Sequence, residues 1–200
     1  EEMDIDKFAL KTVLSTISVD GNLDMSVFES PSEGNINLDA NAQIDIVDVE
    51  VMYPIFKGYF GAVPRKRPIE LVARVAGTAA KLDVKEVSVN LPKYAFAEIT
   101  GEITNVMESE KLGGELAMVG RFDNINFVKP TILDAKLSKQ VHFPAIELIG
   151  HATMRGNKMS GDVDLTLETG QAVGSAEFNT ANDAYEVSLD LADMPIHAVL

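Results

Sequence analysis

Asp162-Val163-Asp164-Leu165-Thr166-Leu167-Glu168 carries an apolar side chain at every odd position and a polar one at every even position. Successive side chains of a strand point to opposite faces, so this stretch reads as a strand with one apolar and one solvated side. Tyr185-Glu186-Val187-Ser188-Leu189-Asp190-Leu191 repeats the pattern, and Asn35-Ile36-Asn37-Leu38-Asp39-Ala40 opens a third such run that extends to Ile44.

Working outward from Asp162, the neighbouring turns predict registers. Thr169-Gly170 suits a two-residue hairpin turn, because glycine supplies the positive φ such turns need. That turn sets Leu167 opposite Ala172, Leu165 opposite Gly174 and Val163 opposite Ala176. Arg155-Gly156-Asn157-Lys158 reads as a second turn, with Met154 opposite Met159 and Leu148 opposite Leu165. A loop from Asn179 to Ala184 pairs Phe178 with Tyr185 and Gly174 with Leu189. Apolar faces coincide in all three, and a one-residue slip would break the agreement. Residues 146–191 are therefore expected to form a four-stranded meander.

The same alternation predicts strands near 69–77, 80–91, 94–104, 114–122 and 131–142. A short glycine–polar–aliphatic motif (at Gly21, Gly34, Gly101, Gly114 and Gly161) is expected to place a turn before several strands. Between Pro54 and Val63 the apolar residues fall at helical spacing, and proline suits a first helical position, which predicts one short helix over about 54–62. The stretch from Met3 to Ile17 fits helix or strand. The expected fold class is all-β: a single segment over 1–200, folded as one long antiparallel meander or, alternatively, as a β-sandwich.

Composition narrows function. With Lys+Arg 17 against Asp+Glu 31, the formal charge is -14. Nucleic-acid binding needs cations to displace counterions from phosphates, so this balance argues against it. Cysteine is absent, which removes disulfides and thiolate metal sites. His142, His151 and His197 have no metal-ligand spacing, and no nucleophile elbow or phosphate loop occurs. Asp20-Gly21-Asn22-Leu23-Asp24 imitates the start of a calcium loop. Met25 and Pro31 stand where that loop needs glycine and glutamate, so it reads as a turn. Carboxylates fall on the polar faces of strands, away from any apolar pocket that would suit acid–base work. No enzymatic site, cofactor or metal is expected. No apolar run reaches the roughly 18 residues of a membrane span. The start at Glu1 and the stop at Leu200 read as the ends of an excised segment, with any anchor expected outside it.

Several segments resemble the long periplasmic β-repeat proteins of the TamB/AsmA-like group, in its Bacteroidetes form. Asp45-Ile46-Val47-Asp48-Val49 followed by Tyr53-Pro54-Ile55, Pro68-Ile69-Glu70-Leu71 and Ala76-Gly77-Thr78 is similar to that group's unit of a chain entering a short helix and restarting a strand. Asn90-Leu91-Pro92, Gly101-Glu102-Ile103-Thr104-Asn105, Phe143-Pro144 and the closing Met194-Pro195-Ile196-His197-Ala198 are similar as well, with Val199 in place of a phenylalanine. The resemblance implies a periplasmic body tethered to the inner membrane. Its sheet would be curved into a U (a β-taco), and its apolar concave face would guide phospholipid or assist an outer-membrane assembly protein. It carries no catalytic residues.

On that reading the groove candidates are Leu116, Met118, Phe122, Val163, Leu165, Leu167, Phe178, Val187, Leu189 and Leu191. Tyr53, Phe56, Tyr59 and Phe60 are candidate gate or cap residues; covering a sheet end is the plainer role. Arg65, Lys66 and Arg67 form the one dense basic cluster and are candidates for headgroup contact, with a solvated loop as the plain reading. Two other functions fit the same residues: a scaffold that binds a client strand at its edges, and a secreted β-domain with a filled core.

Overall fold

A computed structural model describes residues 2–30, 32–54, 63–65, 67–129, 133–134, 136–168 and 170–193. They form β1 (Glu2–Lys11), β2 (Thr16–Asp24), β3 (Ile36–Ile44), β4 (Ile69–Gly77), β5 (Lys81–Leu91), β6 (Ala95–Thr104), β7 (Gly113–Phe122), β8 (Ile146–Arg155), β9 (Lys158–Leu167), β10 (Gly170–Asn179) and β11 (Ala184–Ala192). The eleven strands make one sheet in sequence order, each antiparallel to the next. The all-β meander is the fold. The ambiguous opening stretch resolves as β1 and the start of β2.

Two of the three expected hairpin registers form as read: Met154 faces Met159 and Leu148 faces Leu165, while Phe178 faces Tyr185 and Gly174 faces Leu189. Gly156 (φ 59) supplies the turn's left-handed residue. The β9–β10 register is corrected by two residues: Leu165, not Leu167, faces Ala172, and Val163 faces Gly174. Gly170 lies in the strand rather than the turn, where a Cβ would come within 2.8 Å of the Asp193 carbonyl oxygen. Close approach, not turn conformation, uses this glycine. A shift of two keeps every side chain on its face, so the meander survives the error.

The motif glycines are corrected in the same way. Gly34 lies in a turn, but Gly21, Gly101 and Gly161 sit inside strands and Gly114 is the second residue of β7. At Gly101 (φ +141) a Cβ would stand 2.1 Å from the Glu115 carbonyl oxygen of the neighbouring strand. Only glycine tolerates that extended positive-φ backbone. The calcium-loop mimic, Asp20 to Asp24, is likewise strand rather than turn. The strand expected at 131–142 does not form: the described part holds a single helical turn, α2 (Leu137–Gln140). Asp134 Oδ1 accepts from the amides of Lys136 and Leu137 at 2.8 Å each. This start competes with extended backbone.

Helix α1 (Ile46–Met52) forms just before the expected one. Asp45 caps it, its carboxylate accepting from the Val47 amide at 2.9 Å. The expected helix over 54–62 lies outside the described residues apart from Pro54. Asp48 in the first turn accepts from the hydroxyls of Ser15 (2.5 Å) and Thr12, and Ser15 Oγ in turn accepts from the Asp45 amide at 2.9 Å. These bonds tie α1 to the β1–β2 loop. They also hold the Asp48 carboxyl below its ordinary value, the Ser15 bond first and the Thr12 bond second.

The sheet is a single layer. Its accessible surface is 13115 Å², whereas a compact monomer of 21.7 kDa exposes about 9200 Å². The sandwich alternative is excluded, because one sheet contains every described strand. The U-shaped curl is corrected as well: the sheet is open and uncurled. Strand contacts beyond a few residue pairs are confined to sequence neighbours.

Candidate functional site

Cross-strand partners in an antiparallel sheet share a face, so the pairings decide which side chains lie together. One row reads Leu10, Ile17, Ala42, Leu71, Val89, Ala97, Gly120, Leu148, Leu165, Ala172 and Leu191, one residue from each strand. A second runs from Phe8 through Val87, Met118 and Val163 to Leu189, and two more run parallel to it, from Ile5 to Val187 and from Met3 to Tyr185. None of the four rows contains a charged or amide side chain. At about 4.8 Å per strand the apolar face extends about 48 Å across the sheet.

Two bulges keep the face continuous. Val84 and Val87 are three apart in sequence, as are Ile5 and Phe8, and plain alternation would send one of each pair to the wrong side. The register shifts between them, so Val84 faces Gly101 while Val87 faces Ile99, and Ile5 faces Gly21 while Phe8 faces Val19. An extra residue in one strand absorbs the slip.

The apolar face is open. Leu189 and Leu191 are each 59% exposed and Val89 is 44% exposed. Among the described residues the buried apolar side chains, Ile46 and Leu91 among them, are few, and none is fully sealed from solvent. Glycine and alanine alternate with the large residues: Gly174 has Val163 and Leu189 over it, with a Cβ position 3.1 Å from Val163 Cγ1. The relief is low, with no polar group projecting from it.

The opposite face carries the charge. Arg74 on β4 bridges Asp39 on β3 (3.0 Å) and Glu86 on β5, and Lys81 meets Glu102 at 2.7 Å. The Asp39 bond, more than the Glu86 charge, raises the Arg74 pKa. His151 lies 3.5 Å from Asp162 across β8 and β9, both exposed. The apolar pair Val119 and Ile149 also lies on this face, with Asp164 between Ile149 and the exposed Val173. No group of three potential metal ligands occurs among the described residues.

All ten groove candidates fall on the apolar face: Leu165 and Leu191 in one row, Met118, Val163 and Leu189 in the next, Leu116 and Val187 in the third, and Phe178 in the fourth. Phe122 and Leu167 sit on the same face, both opposite Ile146 of β8. Of the gate residues, Tyr53 ends α1 and is 55% exposed; Phe56, Tyr59 and Phe60 lie outside the described residues, as does Lys66. Arg65 and Arg67 are separated in role. Arg65 pairs with Glu50 at 3.0 Å, while the Arg67 guanidinium lies 5.8 Å from the Tyr94 ring centroid.

Sequence reasoning missed the first half of the face, from Phe8 to Ile99. Its alternation was visible, but the bulges at β1 and β5 hid the phase. It also missed Lys93 and Tyr94 of the β5–β6 loop and Phe127, which reaches them only through loop packing. Tyr94 and Phe127 meet edge to face at 5.6 Å.

No family model, curated protein or solved structure matches this chain.

Proposed function

We propose that the apolar face is a carrying surface for the acyl chains of phospholipids, in a periplasmic, non-enzymatic segment of the TamB/AsmA-like kind tethered to the inner membrane. The observation that carries this reading is the four uninterrupted apolar rows spanning all eleven strands on an open single layer. Contiguous apolar patches beyond a few hundred Å² mark binding surfaces. An acyl chain gains about 0.8 kcal/mol for each methylene it buries. It meets no directional bond that must be broken for it to move along the rows.

A photo-reactive amino acid at Met118, on the apolar face, should label lipid, and one at Ala117, on the other face, should not. Labelling at both positions or at neither, in folded protein, would reject the carrying surface.

A second reading rests on a separate observation. Every residue of β11 is exposed, and the strand contains no proline, lysine or bulge. Such an edge suits strand addition by a client or an outer-membrane assembly protein. β1, with its bulge and Lys7 at φ 57, is blunted. Protection of the β11 amides from exchange on adding a partner would favour this reading.

A further inference from the structure

In an antiparallel meander, alternate connections gather at opposite rims of the sheet. The segments joining β1 to β2, β3 to β4, β5 to β6, β7 to β8 and β9 to β10 share one rim; those joining β2 to β3, β4 to β5, β6 to β7, β8 to β9 and β10 to β11 share the other. The connections of the second rim are acidic, while those of the first carry charges of both signs. The connections of the second rim carry Glu29, Glu33, Glu108, Glu110 and Asp183, and their one cation among the described residues, Lys111, is paired with Glu108 at 2.6 Å. The first rim carries Arg65, Arg67, Lys93, Lys129, Lys136 and Lys139.

The carboxylates of this first rim between β3 and β8 are already engaged. Asp45 caps α1, Asp48 holds Ser15 and Thr12, Glu50 holds Arg65, Asp134 accepts from the Lys136 and Leu137 amides, and Asp123 lies 3.3 Å from Arg121. None of Arg67, Lys93, Lys129, Lys136 or Lys139 has a carboxylate partner among the described residues. Lys129 Nζ donates instead to the Val141 carbonyl at 2.7 Å. In a chain of formal charge -14, these five cations stand outside any ion pair among the described residues and are open to an anion from outside.

Aromatic side chains sit among them. Arg67 lies over Tyr94 and also reaches the Pro92 carbonyl at 3.5 Å, Lys93 lies between those two residues at φ 70, and Tyr94 stands edge to face with Phe127. Leu91, Ala95 and Phe122 bring the apolar face to this same rim. Basic and aromatic groups at the end of an apolar surface are the arrangement that meets a lipid–water boundary.

We propose that this rim receives the phosphate headgroups of anionic phospholipids, their tails lying along the strands of the apolar face. The inference rests on the carrying-surface reading and adds to it a headgroup class and an orientation. The leaflet depth of about 15 Å that a tail occupies, half the hydrocarbon core, is within the length of a ten-residue strand. The acidic rim repels the same headgroup, so the two ends of the strands are not equivalent.

The test measures flotation of the full chain with vesicles of phosphatidylcholine alone and with added phosphatidylglycerol, at low and high salt. Anionic vesicles should bind at least tenfold more tightly at low salt. Arg67→Glu with Lys93→Glu should abolish that preference and leave binding to neutral vesicles unchanged. Lys93→Glu with Lys136→Glu, both on exposed loop positions, is the second variant should the first not fold. Arg155→Glu with Lys158→Glu, at the opposite rim, should retain the preference. Equal binding of both vesicle types, or loss of preference from the opposite-rim variant, overturns the headgroup rim while leaving the apolar carrying surface standing. Competition by inorganic phosphate at low millimolar concentration would reassign the rim to a free anion and overturn the proposal. Binding to neither vesicle type would overturn both readings.

Discussion

At the scale of single residues, alternation assigns each side chain a face, and the pairings then say what it meets there. Leu165 and Thr166 are neighbours in sequence and opposites in environment: Leu165 lies between Leu148 and Ala172, and Thr166 between Glu147 and Gln171. Leu165→Asp should cost about 2 kcal/mol, from lost cross-strand apolar contact and a charge set among aliphatics. Thr166→Lys should be neutral within about 0.5 kcal/mol, because Glu147 directly opposite accepts the new cation. Urea unfolding of the two variants checks the pair, and equal losses would mean the faces are misassigned. The facing of these residues is legible in the amino-acid order alone, since period-two alternation depends only on strand geometry. The roles of Gly101 and Gly170 are not. Each is fixed by a carbonyl oxygen from a segment distant in sequence.

At the scale of elements, the strands were legible and the connections were not. Strands near 69–77, 80–91, 94–104 and 114–122 form close to where alternation placed them. The expected strand at 131–142 gives way to α2, where the Asp134 side chain accepts from backbone amides two and three residues on. Helix α1 lies earlier than the helix expected over 54–62, because apolar spacing pointed to the later stretch while the capping signal, Asp45 followed by Asp48 in the first turn, precedes it. The Asp48 cluster gives this corner a pH dependence. A carboxyl depressed in the folded state contributes stability that is fully present above its ordinary value of 3.8. That contribution disappears as the pH falls through the lower folded-state value. Asp48→Asn should therefore destabilise the chain more at pH 7 than at pH 2.5, as read from denaturation midpoints at the two values. A penalty independent of pH would remove the charge from the account.

At the scale of the whole molecule, an open layer with one apolar face has a solution signature. The native chain should enhance the fluorescence of an apolar dye such as anilinonaphthalene sulfonate, and phospholipid should displace the dye. Unfolding should reduce the signal, since the surface exists only while the rows are assembled. A native chain that leaves the dye dark would indicate a covered face. The sequence by itself determined the all-β class, the facing of side chains along each strand and two of three hairpin registers. These follow from backbone geometry and local turn chemistry, which a few consecutive residues specify. Whether the sheet closes, doubles or stays open was decided only in the tertiary structure, because alternation is identical in a sandwich and in a single layer. So was the gathering of Arg67, Lys93 and Lys129 at one rim, since strand order and the count of turns, not sequence proximity, set which loops become neighbours.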